Sequence, residues 1–130
     1  MKRPLFVYGS LMRGEELNGY LAGLPCQAAR TRGQLFRMPA GYPALHFFPE
    51  GDWVKGELLS LQNMARFTVL DLIEGVDRGL YKRVQIPIET ETQKLMAWAY
   101  TMDVLTIQRR QGVLIPNGDW RSVPRARPKP

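Results

Sequence analysis

The sequence holds one cysteine, Cys26, and one histidine, His46, so it can form no intrachain disulfide and no closed zinc site of its own. No apolar run approaches the roughly 18 residues needed to span a bilayer. The apolar stretch behind the basic start, Leu5 to Tyr8, is too short for the core of a signal peptide, and a cytoplasmic protein is the expectation. The ending of a P-loop is missing, and so is a dinucleotide fingerprint. What is present suits one globular domain: 130 residues, 45% hydrophobic and 23% charged. Such a chain can bury roughly two thirds of the surface its unfolded form exposes, and needs no cross-link to fold.

The net charge of +6 is unevenly placed. Arg121, Arg125, Arg127 and Lys129 fall in the last ten residues, among Pro124, Pro128 and Pro130. Residues 121–130 therefore read as a disordered basic, proline-rich tail. With these four cations set aside, +6 becomes about +2, too little to make nucleic acid an expected partner.

Leu5, Phe6, Val7 and Tyr8 are strand formers, and Gly9 and Ser10 end the run in a turn. A helix is expected from Glu15 to Leu21, against the low propensities of Asn18 and Gly19. Gln34 to Met38 reads as a strand, and Pro39, Gly41, Pro43, Pro49 and Gly51 mark the following stretch as an ordered loop. From Trp53 to Leu59, Val54, Gly56 and Leu58 alternate with Lys55 and Glu57, the period of a half-buried strand. Ser60 then caps a helix on which Leu61, Ala65, Val69, Leu72 and Ile73 recur at helical spacing, with Gly75 at the left-handed C′ position. Val84, Ile86 and Ile88, then Met96, Trp98 and Tyr100, form a β-hairpin, its first strand at an edge or carrying a bulge because Pro87 lacks an amide donor. Asn117 and Gly118 turn the chain before Trp120. The architecture is a small α+β domain with mostly antiparallel strands.

Two places carry possible chemistry. A strand followed by Gly9, Ser10, Leu11 and Gly14 exposes backbone amides able to hold a carboxylate or phosphate. Glu74 falls at the last turn of the best helix, where the negative end of the macrodipole disfavours a carboxylate. If Ile73 and its neighbours also desolvate it, its pKa rises toward neutrality. The bland alternatives are an ordinary turn and an exposed glutamate at a frayed helix end.

Tyr8, Gly9, Ser10 and Leu11, followed by Gly14, resemble the opening signature of the γ-glutamylcyclotransferase-like superfamily. Asp71, Leu72, Ile73, Glu74 and Gly75, with Tyr81 and Arg83 beyond, resemble its catalytic segment. Gly56 and Glu57, and Gly118, Asp119 and Trp120, fit its bacterial branch. The resemblance implies a domain over residues 1–120 with a mixed, barrel-like sheet and flanking helices. It implies a cyclisation of a γ-glutamyl group to 5-oxoproline with release of an amine or amino acid, without a cofactor or metal. By the same resemblance Glu74 is the proton shuttle, the amides of Tyr8, Gly9, Ser10 and Leu11 cradle the glutamyl moiety, and Tyr81 is a supporting hydrogen-bonding residue. The leaving-group side of the cavity is expected from the segments Pro39 to Gly51 and Asp103 to Asn117.

Competing readings are a hydrolase with Ser10 as nucleophile and His46 as base, and a non-catalytic protein that binds a small γ-glutamyl or amino-acid ligand on the same fold. The hydrolase reading lacks the flanking glycines of a nucleophile elbow. Cys26 reads as inert, His46 as a loop residue against the core, and Met38, Met96 and Met102 as core filling. Trp53, Trp98 and Tyr100 fill the core or line a pocket. A monomer is the simplest expectation, with no membrane partner.

Overall fold

The structure, a computed structural model, describes residues 3–15, 18–21 and 23–123. Its strands are β1 (Pro4–Val7), β2 (Cys26–Arg37), β3 (Pro43–Phe47), β4 (Asp52–Ser60), β5 (Lys82–Glu89), β6 (Lys94–Thr101) and β7 (Val113–Leu114). The helices are α1 (Met64–Ile73) and α2 (Val104–Arg109). β1, the most apolar strand, lies between β4, antiparallel, and β6, parallel. The order β2-β4-β1-β6-β5 closes on itself where Arg30 of β2 pairs with Glu89 of β5, giving a five-stranded barrel with β3 and β7 outside it on β2.

The closure, like the β1–β6 junction, has a single residue pair in register and is reinforced by side chains. Inside, the buried Thr31 hydroxyl donates to the carbonyl of Pro87 at 2.8 Å. Outside, Arg30 reaches Glu89 at 3.2 Å. Pro87, with no amide to donate, thus sits where the barrel is joined by few backbone bonds.

Several expected elements differ from those formed. β2 begins at Cys26, well before Gln34, and Met38 lies beyond its end. Its inward residues Ala29, Thr31 and Gly33 are small or polar, so the buried alternation carries little hydropathy signal. The segment read as a loop from Pro39 to Gly51 contains β3, whose Pro43, Ala44 and Leu45 are buried, and His46 is a strand residue stacked on Phe48. Ser60 ends β4; the cap of α1 is Asn63, whose side chain accepts from the Arg66 amide. The buried face of α1 is Phe67 and Leu70, while Val69 and Leu72 are exposed.

On β6 the fully buried face is Ala97 and Ala99, paired with Ile86 and Val84. Trp98 and Tyr100 point the other way, toward α1, where Trp98 meets Phe67 edge to face and Tyr100 reaches Asp71. Met96, on that face but beyond the helix, is exposed rather than core. The expected helix from Glu15 to Leu21 is a 3-10 turn, Asn18–Leu21, among the described residues; positions 16 and 17 lie outside them. Segment 103–117, read as loop, holds α2 and β7.

Candidate functional site

β1 delivers Tyr8 and the turn after it to one end of the barrel. The turn is closed by the Met12 amide donating to the Gly9 carbonyl at 2.9 Å. Gly9 is required by close approach: a methyl group there would collide with the ring of Pro43 at the start of β3. Opposite, α1 ends at Glu74, the C-cap, whose amide still bonds to the Leu70 carbonyl at 2.9 Å. Gly75 follows in the left-handed conformation, φ 68°. This turns the chain away and leaves the glutamate at the helix end. Tyr81, just before β5, donates its hydroxyl to the Pro43 carbonyl and so ties the proline to the same wall.

These pieces surround one cavity of about 230 Å³. Tyr8, Gly9, Ser10 and Leu11 line one part of it, and Glu74 and Tyr81 another. The cradle, shuttle and support expected from sequence therefore face a shared space. Tyr42, Pro43, Ile73, Leu80 and Tyr100 complete much of the wall. No residue of 103–117 lines it, so of the two segments expected on the leaving-group side only the first contributes. His46 is absent from the wall that Ser10 faces, which removes the base from the hydrolase reading.

Burial drives the electrostatics. It pushes the Glu74 carboxyl from 4.5 up to about 7. The helix C-terminus acts in the same direction. Among the described residues, its carboxylate meets no hydrogen-bond donor and no cation. Tyr8 is held well above its ordinary range by burial and then by the nearby Glu74 charge, so its hydroxyl stays a donor, given to the Tyr100 carbonyl. Burial likewise raises Tyr81, with Tyr8 and Glu74 adding to it.

Behind the wall, Asp71 accepts from Arg83 Nε at 2.9 Å and from the Tyr100 hydroxyl at 2.7 Å. The Arg83 guanidinium lies 4.7 Å from the Phe67 ring and 4.8 Å from the Trp98 ring. This network joins α1, β5 and β6 one turn before Glu74. Sequence reading named Asp71 and Arg83 only as part of a motif, gave Tyr100 as a core or pocket residue, and covered Tyr42 and Pro43 only within the segment Pro39 to Gly51. A tyrosine beside a proline breaker, Tyr42-Pro43, was the available signal.

A small closed five-stranded barrel with two outer strands and two helices is the γ-glutamylcyclotransferase-like α+β fold. The family model for Gamma-glutamyl cyclotransferase, AIG2-like proteins matches residues 5–122, and the chain belongs to that family. The fold is similar to that of YkqA from Bacillus subtilis, at 29% identity and TM-score 0.75 over 94% of this chain; the chain spans 40% of that protein's length. It is also similar to c4763, a uropathogenic E. coli-specific protein, at 23% identity, TM-score 0.71 and 94% coverage of both chains. A protein described as Gamma-glutamyl cyclotransferase aligns at 19% identity and TM-score 0.62, covering 78% of this chain and 66% of its own. No curated protein matches the chain.

Proposed function

We propose that this protein cyclises a γ-glutamyl group to 5-oxoproline and releases the attached amine or amino acid, with Glu74 as general base and acid. The observation that carries the reading is a half-buried carboxyl, poised near pH 7 and without a partner among the described residues, facing the same cavity as Gly9, Ser10 and Leu11. Family membership supports the class of reaction.

The nucleophile is the substrate's own α-amine, so the protein's tasks are few. Backbone amides at Gly9 to Leu11 bind the glutamyl moiety, and the walls fold it so that the α-nitrogen meets the γ-carbonyl carbon. Intramolecular attack then carries much of the entropic advantage. Glu74 takes a proton from the α-ammonium, freeing the lone pair. The ring C–N bond forms, and the adduct collapses as the old γ-amide C–N bond breaks. Two protons pass in turn from the α-nitrogen to the departing nitrogen through the carboxyl, leaving a lactam N–H and an ammonium product. Such proton transfer contributes on the order of 10² to 10⁴ in rate.

The test is release of 5-oxoproline from a panel of γ-glutamyl amines and γ-glutamyl amino acids. Wild-type kcat/KM is expected to rise to a plateau above about pH 7, following Glu74 ionisation. Glu74→Gln should abolish release. Equal binding of γ-glutamyl compounds by both proteins, with turnover by neither, would replace the enzyme with a ligand-binding protein.

A further inference from the structure

Two sequence features, Gly56-Glu57 and Gly118-Asp119-Trp120, take no part in the cavity. They meet instead behind the 9–13 turn. Glu57, on β4, accepts the Arg13 backbone amide on Oε1 at 2.6 Å. Arg121 donates to the Arg13 carbonyl at 2.6 Å and to Glu57 Oε2 at 3.3 Å. Its Nε lies 3.7 Å from Glu15 Oε2. The residue two places beyond Leu11 is therefore gripped on both its N–H and its C=O, by side chains 44 and 108 positions away.

Arg121 was counted in the basic tail, but it belongs to the ordered domain. A short 3-10 turn, Trp120–Ser122, holds it; positions 124–130 lie outside the described residues. Trp120 is buried. The Asp119 carboxylate accepts the Arg121 amide at 3.0 Å. The Gly118 carbonyl accepts the Lys55 amide at 2.8 Å, fixing this segment against β4. Each part of the late motif thus aims one guanidinium at one peptide.

We propose that Arg121 and Glu57 are positioning residues for ligand binding: together they latch the Gly9–Arg13 turn so that its amides stand in binding geometry before a ligand arrives. The proposal rests on the reading above in placing the γ-glutamyl moiety on that turn. Without Arg121, the Arg13 carbonyl loses a charged donor, and Glu15 and Glu57 lose the cation set between them. The turn then has to be ordered at the expense of binding, which appears in KM rather than in the chemical step at Glu74.

The experiment compares wild type, Arg121→Ala, Arg121→Lys and Glu57→Gln by steady-state 5-oxoproline release and by amide hydrogen exchange of the 9–13 segment without ligand. Arg121→Ala is expected to raise KM on the order of tenfold with kcat within about twofold, and to speed exchange in that segment on the order of tenfold. Arg121→Lys, which keeps a charge and a donor, should recover most of both. Glu57→Gln keeps the acceptor for the Arg13 amide and should fall between. Unchanged KM and exchange in Arg121→Ala would overturn the latch, and so would a fall in kcat alone. If wild type shows no turnover, the proposed reaction fails, and protection of the 9–13 amides, lost in Arg121→Ala and restored in Arg121→Lys, decides the latch by itself.

Discussion

Keeping Glu74 buried should cost this protein stability, and the cost should depend on pH in a predictable direction. Its carboxyl moves from 4.5 to about 7 on folding. Between those values the unfolded chain gives up the proton while the folded chain still holds it. Stability therefore falls as pH rises through that window, the reverse of the usual salt-bridged carboxylate. At about 1.4 kcal/mol per pH unit, the ionised carboxyl costs the fold about 3 kcal/mol above pH 7. Glu74→Gln removes the charge and keeps the shape. At pH 4, where both forms are neutral, the two proteins should unfold at the same urea concentration. At pH 8 the variant should be more stable by up to about 3 kcal/mol, a midpoint shift on the order of 1 M urea or more. Contributions from the other titrating groups cancel in the difference. A gap of equal size at pH 4 and pH 8 would refute the reasoning, since a packing effect has no reason to follow the Glu74 titration.

Two further substitutions test the supports of the site. Gly9→Ala places a methyl group into the Pro43 ring; urea unfolding should show a loss of about 1–3 kcal/mol, as for overpacking elsewhere, and binding of γ-glutamyl compounds should weaken. Asp71→Ala strips Arg83 and the Tyr100 hydroxyl of their shared acceptor. Because the two ion-pair side chains are 26% and 20% exposed, the expected loss is about 1–3 kcal/mol rather than that of a fully buried pair. A double-mutant cycle with Arg83→Met checks whether the loss belongs to the pair, and a coupling near zero would assign it elsewhere.

The parts of the fold legible in the sequence were those where hydropathy and geometry agree. β1 is continuous apolar, the hairpin of β5 and β6 alternates, and Gly75 marks the end of α1. Where the sequence misled, each element has its own reason. On β6 the alanines are fully buried on one face, while Trp98 and Tyr100 on the other pack toward α1, with Tyr100 buried and lining the cavity. On β2 the inward Ala29, Thr31 and Gly33 hide the first half of the longest strand. On α1 the Leu61, Ala65, Val69 and Leu72 stripe follows helical spacing, yet the helix begins only at Met64 and turns Phe67 and Leu70 inward. β3 was hidden by its prolines, although Pro43 occupies its first position, where a missing donor is tolerated. Tyr8 to Leu11 and Glu74 do face one cavity, because they end regular elements whose directions were legible. Its remaining walls come from residues whose role depends on tertiary closure.

Burial in a cavity wall without cations accompanies a glutamate near pH 7 in a protein of net charge +6. Among the described residues lining the cavity, Glu74 is the one that carries charge at neutral pH. Two arginines behind the walls have partners of their own. Arg83 is occupied by Asp71 and two aromatic rings, and Arg121 by Glu57, Glu15 and a backbone carbonyl. A free guanidinium within reach would return Glu74 to the ordinary carboxylate range, leaving a poor acid for the departing nitrogen. Each network fixes one half of the cavity from behind, the helix end or the amide turn. Burial between those two fixed halves is what raises the glutamate.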